Sequence, residues 1–221
     1  MRIDRRRLLP LFSRLLRTWG PQHWWPGETP FEVMVGAVLT QNTAWTNVEK
    51  AIANLVAHDW LDAGRIAGLR RQDLARCLKP SGYYNVKAER LQAFCRWYRQ
   101  AGSYPALARL PTAELREALL AVTGIGPETA DDILLYAFAR PVFVVDAYTR
   151  RLFSRYELCR GDEPYEQLRT AVEAAGGADT GFFNELHALI VRHAKEVCRV
   201  RPRCADCVLA RRCPAANTVT G

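Results

Sequence analysis

Four cysteines crowd into sixteen residues near the C-terminus of this 221-residue chain. Their spacing is Cys198-x5-Cys204-x2-Cys207-x5-Cys213, and the other three of the seven cysteines are scattered. Four thiolates this close can surround one inorganic centre, either a [4Fe–4S] cluster or a structural zinc ion. Zinc sites usually contain paired Cys-x2-Cys knuckles, so the single such pair favours the cluster and leaves zinc as the alternative. The pattern indicates a reducing compartment and a metal site, not a disulfide framework.

The chain is basic, and the excess of positive charge is marked around these cysteines. The net charge is +8, and residues 192–213 hold seven basic and two acidic side chains, a net +5. A basic balance of this size indicates a polyanionic partner, with DNA or RNA first, although ordinary solubility charge gives the same total. A basic loop is also well placed to meet phosphates.

Apolar residues recur at helical spacing along most of the chain, which predicts an all-α fold. Residues 31–39 form a buried segment that periodicity assigns equally to a strand or a helix, and the apolar run 142–145 is too short to found a sheet. Residues 214–221 are expected to form a loose tail. No signal-peptide pattern and no run long enough for a membrane span are visible, so we expect a soluble, cytoplasmic and nucleoid-associated protein.

A glycine-rich turn between two helices is the first candidate for a binding site. Gly124, Ile125 and Gly126 separate the end of one helix from Pro127, which suits the first position of the next. Such a turn exposes backbone N–H groups beside a helix N-terminus, together with Thr129 in the first turn, and these groups can bind a phosphodiester. Many plain helix–helix turns contain the same Gly-x-Gly pattern.

Asp146 is the candidate catalytic residue. It follows the apolar run 142–145 and directly precedes a helical segment. Aspartate at this position is a good helix N-cap. A fixed carboxylate can also stabilise the positive charge that develops on a sugar when its glycosidic bond is cleaved, and it can orient or deprotonate water. The two interpretations are compatible.

Five motifs, taken together, resemble those of the helix-hairpin-helix DNA glycosylases of the endonuclease III superfamily. The resemblance runs from about residue 24 to residue 213, and its specificity lies in the order and spacing of the motifs. They are Ala37-Val38-Leu39-Thr40-Gln41-Asn42-Thr43, Tyr84-Asn85-Val86-Lys87-Ala88, the hairpin at 124–130, Val144-Val145-Asp146 and the four cysteines.

The resemblance implies two helical domains flanking a cleft. One is a six-helix domain, residues 26–140, with the helix-hairpin-helix at 112–139; the other joins residues 1–25 to 141–221 and carries the cluster loop, 198–213. Asp146 would lie at the mouth of the cleft, into which a damaged nucleotide would rotate from double-stranded DNA. We also expect a monomer and a monovalent or divalent cation at the hairpin. The residues expected to line the base pocket or fill the gap in the duplex are Trp24, Trp25, Gln41, Asn42, Trp45 and Lys195.

The hairpin departs from the bifunctional members at one position. Those members carry a lysine whose amine forms a Schiff base with the sugar, whereas this chain has Glu128. The resemblance is therefore closer to the monofunctional 3-methyladenine glycosylase III type, which acts on alkylated purines, although the best-known members of that type lack the cysteines. A bifunctional glycosylase/AP lyase that uses another amine and a non-catalytic DNA-damage-binding module are the alternatives.

Overall fold

A computed structural model describes residues 1–24 and 27–218, and these residues form helices and connecting loops without a β-strand. The all-α prediction is confirmed. The chain divides into two compact units. Trp25–Arg140 is the central unit, and Met1–Trp24 together with Pro141–Gly221 is the terminal unit. Trp25, which was expected in the base pocket, lies outside the described residues. No helix in the described part is long and apolar enough to cross a membrane.

The central unit is built around helix α2, Pro30–Leu39. The Thr29 side chain accepts a hydrogen bond from the Glu32 amide (3.1 Å), and Pro30 occupies the first helical position, so this segment begins as a helix and not as a strand. Every residue from Val33 to Leu39 is buried, as expected for a helix with neighbours on all sides. Helix α2 contacts α3 (Trp45–Ala57), α6 (Tyr84–Gln100), α9 (Pro127–Asp132) and the π-helical turn Ile133–Ala137.

Shorter elements complete the central unit. They are α4 (Ala63–Gly68), α5 (Arg71–Cys77), the 3₁₀ turn Lys79–Ser81, α7 (Ser103–Leu107) and α8 (Thr112–Leu120). The hairpin of the sequence analysis is therefore α8, the glycine turn and α9, and the π-helical turn follows directly.

The terminal unit joins the N-terminal helix to the C-terminal part of the chain. It contains α1 (Arg5–Trp19), α10 (Ala147–Arg155), α11 (Tyr165–Gly176), α12 (Thr180–Glu196) and α13 (Pro214–Thr218). Helix α1 packs on α11 and α12, and the Arg7 guanidinium donates hydrogen bonds to the carbonyl oxygens of Tyr156 (2.5 Å) and Glu157 (3.0 Å). Residues 142–145 are buried without forming a strand. The expected loose tail begins instead with α13.

Candidate functional site

Both interpretations of Asp146 are compatible with its position at the start of α10. One carboxylate oxygen, Oδ1, accepts a hydrogen bond from the Thr149 amide at 2.6 Å, which caps the helix. The other, Oδ2, lies 3.4 Å from Nε2 of His187 on α12. The Asp146 side chain is 13 % exposed. Burial alone would raise the pKa of this carboxyl, but His187 and Thr149 outweigh burial and lower the pKa.

His187 is held tightly in the terminal unit. Its side chain is 4 % exposed. The Trp24 ring stacks on the imidazole with ring centroids 5.6 Å apart, and the Phe143 ring meets it edge-on at 6.3 Å. Trp24, expected in the base pocket, therefore has one face against the residue that contacts Asp146.

Lys195, also expected in the base pocket, lies on the exposed side of α12. Its ammonium group is 5.8 Å from the ring centroid of Tyr148, and the Arg151 guanidinium lies 5.2 Å from the same centroid. Tyr148 follows Asp146 by two residues. The structure therefore brings Trp24 to His187, the partner of Asp146, and Lys195 to Tyr148, two residues after Asp146.

In the central unit, the glycine turn has the conformation that its residues predict. Gly124 has a φ of +89°, which favours glycine, and Ile125 is buried. Gly126 is exposed with a φ of −95°, and Pro127 opens α9. Glu128 is exposed in the first turn of α9, where the helix dipole favours a negative charge.

Gln41 and Thr129 belong to a hydrogen-bonded support behind this turn. Gln41 Nε2 donates to the carbonyl oxygen of Gly124 and to the hydroxyl of Thr129, both at 3.0 Å. The Arg90 guanidinium donates to Gln41 Oε1, and its aliphatic stem covers Gly124. Thr129 is buried, so its side chain does not face a phosphate at the surface in this conformation. The expected roles of Gln41 at the duplex and of Thr129 at a phosphate stay predictions.

The other two pocket candidates of the central unit are Asn42 and Trp45. Asn42 is exposed with a φ of +54°, at the turn after α2. Trp45 opens α3, and its ring packs so closely on Gly36 that a Cβ there would lie 3.0 Å from the ring. Trp45 therefore packs α3 against α2, and its expected contact with a base stays a prediction.

A buried ion pair fixes the second helix of the hairpin to the first. Arg116 on α8 donates to both carboxylate oxygens of Asp131 on α9, at 2.7 and 3.2 Å. The Arg116 side chain is 15 % exposed and the Asp131 side chain is fully buried. Bidentate geometry of this kind gives the pair directional specificity.

The four clustered cysteines line one cavity of about 260 Å³ in the terminal unit. Among the described residues, no three histidine, cysteine or acidic side chains converge closely enough to hold a single metal ion. Burial raises the pKa of the Cys207 and Cys213 thiols.

Two hydrogen-bond donors point at cysteine sulfur atoms in this cavity. Arg155 Nη1 lies 3.3 Å from Cys198 Sγ, and His193 Nε2 lies 3.5 Å from Cys207 Sγ. The Trp19 indole, which can only donate, bonds His193 Nδ1 at 3.4 Å. Nδ1 is therefore the acceptor, and the ring proton of the neutral imidazole is on Nε2, facing the sulfur. Burial lowers the pKa of His193 to about 4, so the ring is neutral near pH 7.

Comparison with known proteins identifies the family. The sequence pattern described as "HhH-GPD superfamily base excision DNA repair protein" matches residues 35–176. The chain belongs to the HhH-GPD superfamily. It is 41 % identical, over 92 % of its length and 94 % of the relative's, to a Methanocaldococcus jannaschii protein provisionally named as a DNA repair glycosylase. The chain is thus a base excision DNA repair glycosylase of this superfamily, as the motifs indicated.

Two solved structures are similar to this chain. The H. pylori 3-methyladenine DNA glycosylase bound to 1,N6-ethenoadenine is 31 % identical, with a TM-score of 0.74 over 88 % of this chain and 98 % of that one. An endonuclease III in a non-covalent complex with DNA has a TM-score of 0.85 over 99 % of both chains, at 18 % identity, and shows the shared fold.

Several residues of this HhH-GPD site were not found from the sequence. His187, His193, Arg90 and the Arg116–Asp131 pair carry no local motif that separates them from ordinary helix residues. One weak signal exists: His187 and His193 interrupt the apolar stretch 186–194 of α12, and a polar side chain in a buried stretch needs a partner.

Proposed function

We propose that this protein hydrolyses the N-glycosidic bond of an alkylated purine in double-stranded DNA, with Asp146 as the catalytic carboxylate. The observation that carries the proposal is the geometry of Asp146: a largely buried carboxylate with lowered pKa, one oxygen of which accepts a hydrogen bond from Thr149 while the other lies 3.4 Å from His187 Nε2. A carboxylate that stays ionised in a dry site stabilises positive charge well.

The chemistry follows from that charge. As the bond between the sugar and the base breaks, the bonding electrons leave with the base and the sugar becomes cationic. The Asp146 carboxylate stabilises this cation, water adds to the sugar carbon, and Asp146 accepts or directs the proton released by the water. The products are the free base and an intact strand with an abasic site.

The substrate class rests on the relatives and on the tryptophan residues. The H. pylori relative is named as a 3-methyladenine glycosylase and was seen with 1,N6-ethenoadenine. An alkylated purine that carries a positive charge is attracted to the face of an aromatic ring. Trp24 offers such a ring, and it stacks directly on His187, the residue that contacts Asp146. Asn42, exposed at a turn, is the residue we propose to enter the duplex gap.

We propose that the protein does not cleave the DNA strand, because the hairpin has no lysine that could form a Schiff base with the sugar. The hairpin has Glu128, and the chain has four lysines. Lys87 is buried with its ammonium group on the Ser81 carbonyl oxygen (2.5 Å), which makes it a structural residue. Lys195 is the sole lysine of the terminal unit by sequence, and it lies near Tyr148 beside Asp146. Lys195 is therefore the amine to test for the alternative, a glycosylase with lyase activity.

The cofactor we propose is a [4Fe–4S] cluster held by Cys198, Cys204, Cys207 and Cys213. Zinc draws its four sulfur ligands to about 2.3 Å from one ion. The four cysteines line one cavity of about 260 Å³, and two N–H donors face their sulfur atoms, which suits the thiolates of a cluster. When bound, the cluster would cross-link the basic loop 198–213. A cation at the hairpin stays a prediction.

The test is base release from duplexes that carry single lesions, among them 3-methyladenine and 1,N6-ethenoadenine. Wild-type protein should release the free base and leave a strand that breaks only on treatment with alkali. Asp146→Asn should slow release about 10²- to 10³-fold while DNA affinity is kept, because asparagine still caps the helix. Borohydride should trap no protein–DNA adduct.

The contrary result is equally specific. A trapped adduct that is lost in Lys195→Ala, together with strand nicking before alkali, would assign the chain to the bifunctional class. Wild-type protein that binds lesion duplexes and releases no base would favour the non-catalytic binding module.

A further inference from the structure

We propose that His187 is a positioning residue for Asp146, and that Trp24 holds it in place. The inference rests on the proposed function, because it gives Asp146 the catalytic role. It is carried by three observations about His187: its burial, its distance to Asp146 Oδ2, and the aromatic rings on two of its sides.

The two carboxylate oxygens of Asp146 have different partners. Oδ1 is held by its own helix, through the Thr149 amide at 2.6 Å. That contact fixes one oxygen but leaves the carboxylate plane free to rotate about it. A second contact, His187 Nε2 at 3.4 Å from Oδ2, comes from another helix; the two atoms lie at ion-pair distance without the alignment of a hydrogen bond, and the contact restrains the plane. The carboxylate is then preorganised for the cationic sugar, which is the condition for effective electrostatic stabilisation.

His187 is itself restrained by its neighbours. The Trp24 ring lies nearly parallel to the imidazole, at an interplanar angle of 15°, and the Phe143 ring is nearly perpendicular, at 87°. Stacked and edge-on contacts together limit rotation of the imidazole about its Cβ–Cγ bond. Trp24 thus stabilises the orientation in which Nε2 faces the carboxylate. This assigns Trp24 a role at Asp146 besides any contact with the extruded base.

The contact of His187 can be separated from its packing by a matched pair of variants. His187→Phe keeps an aromatic ring for Trp24 and Phe143 and removes the N–H donor. His187→Gln removes the ring and keeps an amide N–H near the position of Nε2. A residue that served only as core packing would tolerate phenylalanine better than glutamine. A positioning residue predicts the opposite order of activities.

The experiment measures single-turnover base release and DNA affinity for wild type, His187→Phe, His187→Gln and Asp146→Asn on the lesion duplex that wild type cleaves fastest. His187→Phe should lose about 10- to 100-fold in rate with DNA affinity unchanged, the range expected when a charged group loses one close polar partner. His187→Gln should retain most of the wild-type rate. Thermal unfolding of each variant checks that both fold.

A second measurement does not depend on activity. The ¹⁵N NMR signal of His187 Nε2 in the wild-type holoprotein should shift on replacement of Asp146 by asparagine, because the negative partner is lost. An unshifted signal, or a His187→Phe variant as active as His187→Gln, overturns the inference while leaving the proposed function intact. Asp146→Asn with the wild-type rate of base release overturns the proposed function and the inference together.

Discussion

Replacing Gly124 by alanine should destabilise the hairpin, and the structure gives the size of the effect. The φ of +89° costs an alanine about 1–2 kcal/mol. A Cβ at this position would also lie 2.3 Å from Cγ and 2.7 Å from Cδ of Arg90, well inside contact distance. Moving the Arg90 stem adds about 1–3 kcal/mol, as overpacking does in other proteins. Gly124→Ala should therefore lower the free energy of unfolding by about 2–5 kcal/mol.

Gly126→Ala is the matched control, two residues away in the same turn. Gly126 has a negative φ, and a Cβ there would meet nothing within 4 Å. The change should alter the free energy of unfolding by less than about 0.5 kcal/mol. Urea denaturation followed by circular dichroism measures both variants.

A double-mutant cycle separates the two causes of the Gly124 effect. Arg90→Ala removes the clashing stem but keeps the unfavourable φ, so Gly124→Ala should cost only about 1–2 kcal/mol in the Arg90→Ala background. Equal losses in both backgrounds would refute the steric part of the reasoning. A Gly124→Ala variant as stable as Gly126→Ala would refute it entirely.

The remaining predictions concern the DNA contacts, the ion pair and the metal. If the glycine turn binds a phosphate through its backbone, Gly126→Ala should weaken binding to an abasic-site duplex without loss of stability, and unchanged affinity would count against the contact. Asp131→Asn should destabilise the protein by about 3–5 kcal/mol, because it removes the negative charge from a buried bidentate ion pair. The paired change Arg116→Met with Asp131→Leu should recover part of that loss, and urea denaturation measures both variants. Arg201→Glu should lower the slope of log affinity against log salt concentration by at least about one, since a phosphate contact is lost, and an unchanged slope would exclude Arg201 from the interface. Protein purified without oxygen should contain about four irons per chain with a broad visible absorption band, and one zinc without iron would overturn the cluster assignment.

Local signals were enough for most of the helices and for the cap at Asp146. The stretch Thr29-Pro30-Phe31-Glu32 even contains the capping pattern that would have decided between strand and helix for α2, since threonine three residues before glutamate marks a helix start. An assignment from apolar periodicity alone ignores this capping pattern. The π-helical turn Ile133–Ala137 lies within the predicted helix-hairpin-helix, 112–139, and periodicity does not mark it because its apolar residues continue the helical pattern.

The partners of the site residues depend on contacts between distant segments. His187 follows Asp146 by 41 residues, and Gln41 is separated from Gly124 by 83 residues. Asparagine or glutamine in a glycosylase-like motif suggests a contact with the duplex, yet the Gln41 amide is satisfied by the hairpin in this structure. Packing between helices decides such pairings, and no local pattern in a single sequence marks them.

The discontinuous terminal unit has a consequence for synthesis on the ribosome. Helix α1 is made before the central unit, whereas α12, on which it packs, begins at Thr180. At elongation rates of about 5–20 residues per second, this segment waits on the order of 10–30 s for its partner. Throughout that time Leu8, Leu11 and Leu15, which are fully buried in the folded protein, are exposed beside a cluster of arginines. The central unit, one uninterrupted segment, can fold meanwhile. Until the four cysteines have been translated, the nascent chain therefore exposes an apolar and basic segment that the folded protein covers.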